Sequence, residues 1–313
     1  MRKFSNKMVL SVLTLVLLVV ALGTTTFAWF TVGNTVTVES FQTEVKSAYG
    51  LDMRYMLADG ETPATGSDWV RSISGTDMLT YLEQDYTTEV WTDFKLDEVT
   101  SVDGKVFKKI GLDYQLGPDL TRTDGYIEFK LQFRTAEADQ SLAWTSAVIT
   151  SEGVPWTPGT TFNKVGGGEQ GLTEATYYAA GATRVSATGT ETIVYEKVTG
   201  ADNAAVLSKN QPNWTAGAHD YYKKVMNKDL STIYGNPNYA SNPSGHYEAA
   251  ETVTALNNAS KLGALTAPAL ADGYYYITVT IRVYLEGFDS EMFDAILEDK
   301  LFVELGFTLV PTV

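Results

Sequence analysis

Two histidines, His219 in "TAGAHDYYKK" and His246 in "NPSGHYEA", are the only imidazoles in 313 residues, and there is no cysteine. An imidazole beside an acid, as His219 is beside Asp220, is the minimum for an oriented general base or for half of a metal site. A polar surface loop presents the same pair, and that is the expectation for both histidines. H-E-x-x-H, G-x-S-x-G, a Walker loop and a G-x-G-x-x-G after a strand are all missing from the sequence. Without cysteine there is no thiolate nucleophile, thiolate metal site or disulfide. Glycoside hydrolysis needs two facing carboxylates, but 38 acidic residues supply pairs by chance. The expectation is a protein that is not an enzyme and holds no cofactor.

Calcium is the metal that the side chains could serve, because "DGET" from Asp59 and "LEGFDSE" from Leu285 bring hard oxygens into loops. Neither has the D-x-[DN]-x-[DN]-G spacing, and turn formation and helix capping use the same residues. Trp156 and Trp214 each open a "WT-x-G" phrase and are candidates for stacking on a ligand such as a sugar ring. Ordinary packing in a β-rich core is the competing use of such rings.

The formal net charge of -15 excludes the counterion-releasing contacts that nucleic acids require, so no nucleic-acid partner is expected. With 44% hydrophobic residues the chain has apolar material for a core without staples.

Period-two alternation dominates and marks strands with one buried and one wet face. In 125–135, Ile127, Phe129, Leu131 and Phe133 fall on one face, with Glu128, Lys130, Gln132 and Arg134 on the other. Residues 274–286 repeat the pattern, with Tyr284 and Glu286 on the outward side, and 301–309 repeats it again. Further strands are expected at 34–47, 49–57, 89–96, 105–116 and 142–150. Helices are expected at 76–84 and at Ser290–Leu297, the latter capped by Asp289 or Ser290. The fold class is all-β: a β-sandwich of jelly-roll or Greek-key kind.

From Gly153 to about Ala250 the composition turns to Gly, Thr, Ala, Asn and Tyr, which reads as an insertion into the sandwich. The phrases "FNKV", "YEKV" and "YKKV" recur within it at unequal spacing, with "FKKI" at 107–110 as a cousin. Each fits a short edge strand in which Lys discourages unwanted pairing. The organisation expected is a hydrophobic signal segment at 1–28, a sandwich from 29–152 and 251–313, and a β-rich or loop-rich insertion at 153–250.

Arg2, Lys3 and Lys7 precede an apolar run from Met8 to Gly23, the layout of an export signal. As a helix that run spans about 24 Å, short of the roughly 30 Å hydrocarbon core. Cleavage between Ala28 and Trp29 is expected, with a retained membrane anchor as the alternative.

Read whole, "FAWFTVGNTVTVESFQTEV" joins a small-residue cleavage site to an aromatic pair, a polar turn and a strand. Together with "GYIEFKLQFRTAEA" and "YITVTIRVYLEGFDSEMFDAILEDKLFVELGFTL", it resembles the TasA and camelysin group of Gram-positive biofilm matrix proteins, trimmed by the signal peptidase SipW. The resemblance covers the signal, the first strand and the last strands, and leaves the insertion without a counterpart. It implies a secreted jelly-roll subunit that polymerises by donor-strand exchange. Trp29, Phe30, Val32, Val36 and Val38 are then the pocket-filling residues, and the partners are other copies of the chain, further matrix or cell-surface components and the signal peptidase. The metal-dependent protease activity described for camelysin does not map onto residues here. No LPxTG-like motif precedes the final "FTLVPTV", so covalent wall attachment by that route is not expected. The rival expectation is an adhesin, secreted or anchored, whose insertion binds carbohydrate or protein.

Overall fold

Alternation of apolar and polar side chains carries the architecture of the computed structural model, which describes residues 35–37, 42–86, 95–110, 116–197, 215–229, 249–268, 272–292, 296 and 299–312. The signal segment with Ala28, and with it Trp29, Phe30, Val32, Val38, Trp214 and His246, lies outside the described residues. The chain forms β1 (Thr35–Thr37), β2 (Gln42–Ser47), β3 (Asp52–Met56), β4 (Ser72–Ile73), α1 (Gly75–Tyr86), β5 (Lys95–Thr100), β6 (Lys108–Ile110), β7 (Leu116–Asp119), β8 (Ile127–Thr135) and β9 (Gln140–Ser151). It continues through β10 (Val154–Trp156), β11 (Phe162–Asn163), β12 (Glu169–Gln170), β13 (Ala175–Tyr177), α2 (Ala179–Ala182), β14 (Thr183–Thr188) and β15 (Thr192–Glu196). The last elements are α3 (Gly217–Met226), β16 (Lys261–Ala264), β17 (Tyr275–Glu286) and β18 (Leu301–Pro311). The protein is mostly β, in several sheets.

The larger sheet is built around β17, antiparallel to β14 on one side and to β8 on the other, with β3 beyond β8 and β15 beyond β14. Where β8 stops, β5 takes its place beside the end of β17, in parallel, and carries β6, β7 and β1. The smaller sheet runs β16-β9-β18-β2-β4. Its long pair is β9 with β18, antiparallel, and β18 meets β2 in parallel.

One hydrophobic core holds the two sheets together. Phe129, Leu131 and Phe133 from the larger sheet and Trp144, Val303 and Leu305 from the smaller one are essentially inaccessible and share a single cluster. Phe133 and Phe307 meet with ring centroids 4.9 Å apart. Each such side chain contributes roughly 1.5–3 kcal/mol by leaving water. On the opposite face of the larger sheet, Arg54 and Arg134 lie 4.4 and 4.3 Å from the Trp69 ring. Their charge stays at the surface while their stems and guanidinium planes cover the ring.

The expected helix at 76–84 is α1. Ser74 Oγ accepts a bond from the Asp77 N–H and donates to its carboxylate, a reciprocal cap, and Met78, Leu82 and Tyr86 form the buried face. The strand expected at 34–47 is two strands in different sheets, because the chain crosses from the larger sheet at Thr37 to the smaller sheet at Gln42. In the region expected as a helix from Ser290, Ser290 and Glu291 form a turn, with the Asp289 side chain accepting from the Glu291 N–H at 2.9 Å, and Ile296 is in a 3-10 conformation; 293–295 and Leu297 lie outside the described residues.

The stretch 153–250, set apart by composition, gives β14 and β15 to the larger sheet. Two outward residues of β17 are also not wet: Tyr284 and Glu286 are fully buried. Alternation assigns the face correctly, but the hairpin of β5 and β6 lies over that end, with Phe107 and Tyr284 ring centroids 4.8 Å apart.

Candidate functional site

Beyond the smaller sheet, β10 pairs with β13 and β11 with β12 as two short ribbons. Their rings form a closed cluster. Trp156 stands edge-on to Tyr177 at 5.5 Å and to Tyr221 at 5.2 Å, and Phe162 lies 5.3 Å from Tyr221. Burial pushes the Tyr177 phenol up to about 12. Trp156, expected to stack on a ligand, is thus packed among protein rings.

In front of this cluster lies a cavity of about 340 Å³, walled by Phe162, Tyr177 and Tyr178 and edged by Lys164, Thr176 and Glu291. A second cavity of about 330 Å³ adjoins it, lined by Thr150, Ser151, Ala180, Gly181 and Lys197, and again by Tyr178 and Glu291. Tyr178 and Glu291 are therefore common to both. Sequence reasoning passed over Tyr178. The signal was the pair Tyr177-Tyr178 at a strand end, where consecutive side chains take opposite faces: Tyr177 joins the cluster, and Tyr178 is 52% exposed.

The backbone around Tyr178 is held by one carboxylate. Asp299, 1% exposed, accepts from the Gly153 N–H at 2.7 Å through one oxygen and from the Ala179 N–H at 2.8 Å through the other. Ser151 Oγ accepts from the Ala180 N–H at 3.2 Å. The Tyr178 ring rests on Gly153, where a β-carbon would come within 2.6 Å of it. Glu291 is placed in the same way: a β-carbon on Gly181 would lie 2.5 Å from its Oε2.

His219 is buried in α3 instead of sitting in a surface loop, and "YKKV" is the end of that helix instead of an edge strand. The sequence conceals the helix because it is short and its buried face carries Tyr221 and Tyr222, rings that also suit strands. Asp220 does not orient His219. Its carboxylate accepts from the Asn163 N–H at 2.6 Å and pairs with Lys224 at 2.9 Å, fastening α3 to β11.

The acidic loops weighed for calcium have other uses. Asp59 accepts bonds from the Glu61 and Thr62 N–H groups and the Thr62 hydroxyl, which closes a turn and lowers its carboxyl pKa. Glu286 and Asp289 surround a guanidinium: Arg184, fully buried in β14, donates to Glu286 at 3.1 Å, pairs with Glu196 at 3.1 Å and has Asp289 at 3.9 Å. Among the described residues no group of three or more His, Cys, Asp or Glu is placed to hold a metal ion.

Of the residues expected to join copies of the chain, Val36 is described. It lies in β1, opposite Leu96 of β5. No helix among the described residues is long and apolar enough to cross a membrane. Compared with protein-family models, curated proteins and solved structures, the chain matches none.

Proposed function

We propose that the protein is an exported, non-enzymatic β-sandwich of jelly-roll type that serves as a subunit of a cell-surface or extracellular-matrix fibre, joining copies of itself through its N-terminal segment. The observation that carries this reading is the pairing of β1. Among the described residues it meets β5 through Thr35 with Asp97, Val36 with Leu96 and Thr37 with Lys95, and the chain is next described in the other sheet, from Gln42. A terminal strand held by main-chain bonds of this kind can be replaced by the same strand of a second copy, which makes the same bonds.

Several other described edges are occupied. The outer edge of β3 bonds Val70, that of β15 bonds Val253, and Leu262 of β16 accepts from Thr190 and Glu191. Strand addition is proposed at β5, where β1 itself pairs. In this scheme the signal peptidase cuts between Ala28 and Trp29, and the freed Trp29, Phe30 and Val32 extend the donor begun by Val36, with Val38 following. Neighbouring copies are the first partner, and other matrix or surface components the second.

Electron microscopy of protein beginning at Trp29, beside a form beginning at Val38, tests the reading. Regular filaments from the longer form and monomers from the shorter, both folded by circular dichroism, are expected. Monomers from both, or a cell-surface product that still begins at Met1, would replace the fibre with an anchored protein.

A further inference from the structure

The twin cavities around Tyr178 are independent of β1, and they are built as a site. We propose that they bind a neutral oligosaccharide, one sugar ring in each cavity, with Tyr178 and Glu291 between the two rings. The inference goes beyond the fibre reading and stands or falls separately from it.

Four features converge on this ligand. First, Tyr178 is a large ring left 52% exposed while the neighbouring rings pack on one another. A ring in that state offers an apolar face to the C–H face of a pyranose. Second, its position is fixed: Asp299 clamps the backbone on both sides of it, at Gly153 and Ala179, and the ring rests on Gly153. A fixed ring loses little freedom on binding. Third, Glu291 is held against Gly181 at the junction and lines both cavities, so an acidic side chain that can accept from a sugar hydroxyl lies between the two units. Fourth, the remaining polar lining is mainly hydroxyl and amide, from Thr150, Ser151, Thr176 and Gln170, with single lysines at Lys164 and Lys197.

Charge and size select among ligands. A polyanionic glycan would meet the field of a protein of net charge -15, and Glu291 at the centre of the site offsets the attraction of Lys164 and Lys197. Cavities of about 340 and 330 Å³ fall at the small end of ligand pockets, suited to one ring each.

The test is isothermal titration of the purified protein with cellotetraose, chitotetraose and maltotetraose, and with tetragalacturonate as the acidic comparison. At least one neutral tetrasaccharide is expected to bind, and tetragalacturonate to bind more weakly. Tyr178→Ala is expected to weaken binding by about 10-fold or more. Gly181→Ala, whose β-carbon would displace the Glu291 carboxylate, and Glu291→Gln are each expected to weaken it severalfold in folded protein. Absence of binding by all three neutral sugars, binding undiminished in folded Tyr178→Ala and Gly181→Ala, or preference for tetragalacturonate would each overturn the proposal.

Discussion

Arg184 Nη1 donates to Glu286 Oε2 at 3.1 Å in a part of the larger sheet from which water is excluded. The two residues sit on adjacent strands, and Glu196 and Asp289 close around the same guanidinium. One buried cation thus faces three carboxyl groups. Burial disfavours the ionised acids, while Arg184 favours them. Burial prevails, raising Glu286 to about 7 and shifting Asp289 and Glu196 upward as well.

Stability therefore depends on pH in a defined direction. The folded pKa of Glu286 lies above its ordinary 4.5, so folding favours the protonated form. That contribution is complete below about pH 4.5 and is lost as the pH rises through about 7. Between these values the Glu286 contribution falls by up to about 3 kcal/mol. Urea unfolding of the protein and of Glu286→Gln across this range checks it: the variant's stability is expected to vary less with pH. Parallel profiles would contradict the assignment.

Removing the cation is more damaging than removing one acid. Arg184→Met leaves buried carboxyl groups without their partner and is expected to cost about 3 kcal/mol or more at neutral pH. The loss should shrink on acidification as the acids take up protons. Chemical denaturation at neutral and acidic pH measures both.

Contact between the sheets predicts a second class of loss. Phe133→Ala removes a fully buried ring from between the sheets and is expected to destabilise by about 3–5 kcal/mol, read as a shift of the urea midpoint. Lys130→Ala, three residues earlier on the half-wet face, should change it little.

Asp299 links three segments through backbone N–H groups at Gly153, Ala179 and Lys300. Asp299→Ala strands the buried donors and is expected to cost about 2 kcal/mol or more. Faster hydrogen exchange at Gly153 and Ala179 than in the sheet core should accompany it, with Asp299→Asn intermediate.

The strands with the cleanest alternation were legible from the sequence. Ile127–Thr135, Tyr275–Glu286 and Leu301–Pro311 lie where period two placed them, because their inner faces must meet one core. Alternation cannot tell which outer faces a second layer covers, so it leaves Tyr284 and Glu286 on a face expected to be wet. Nor could it show that the run from 34 to 47 changes sheets, since both halves alternate alike. "YKKV" suits a strand edge and a helix end equally, and tertiary burial of Tyr221 and Tyr222 decided for the helix. Trp156 drew notice by size, but Tyr178 lines the cavities. What separates them is the side of the strand end each occupies, a property of pairing that composition does not carry.

Exchange of β1 between copies is the central claim, and a disulfide trap tests it most directly. The chain has no cysteine, and Thr37 lies opposite Lys95 in the β1–β5 pair. Antiparallel partners approach closely enough to bridge. Protein beginning at Trp29 and carrying Thr37→Cys with Lys95→Cys is assembled, oxidised and run on a non-reducing denaturing gel. Exchange predicts a ladder of covalent multimers that collapses on reduction and does not extend beyond dimers in either single variant. A cross-link confined to the monomer would show that β1 stays on its own sheet and would contradict the fibre account.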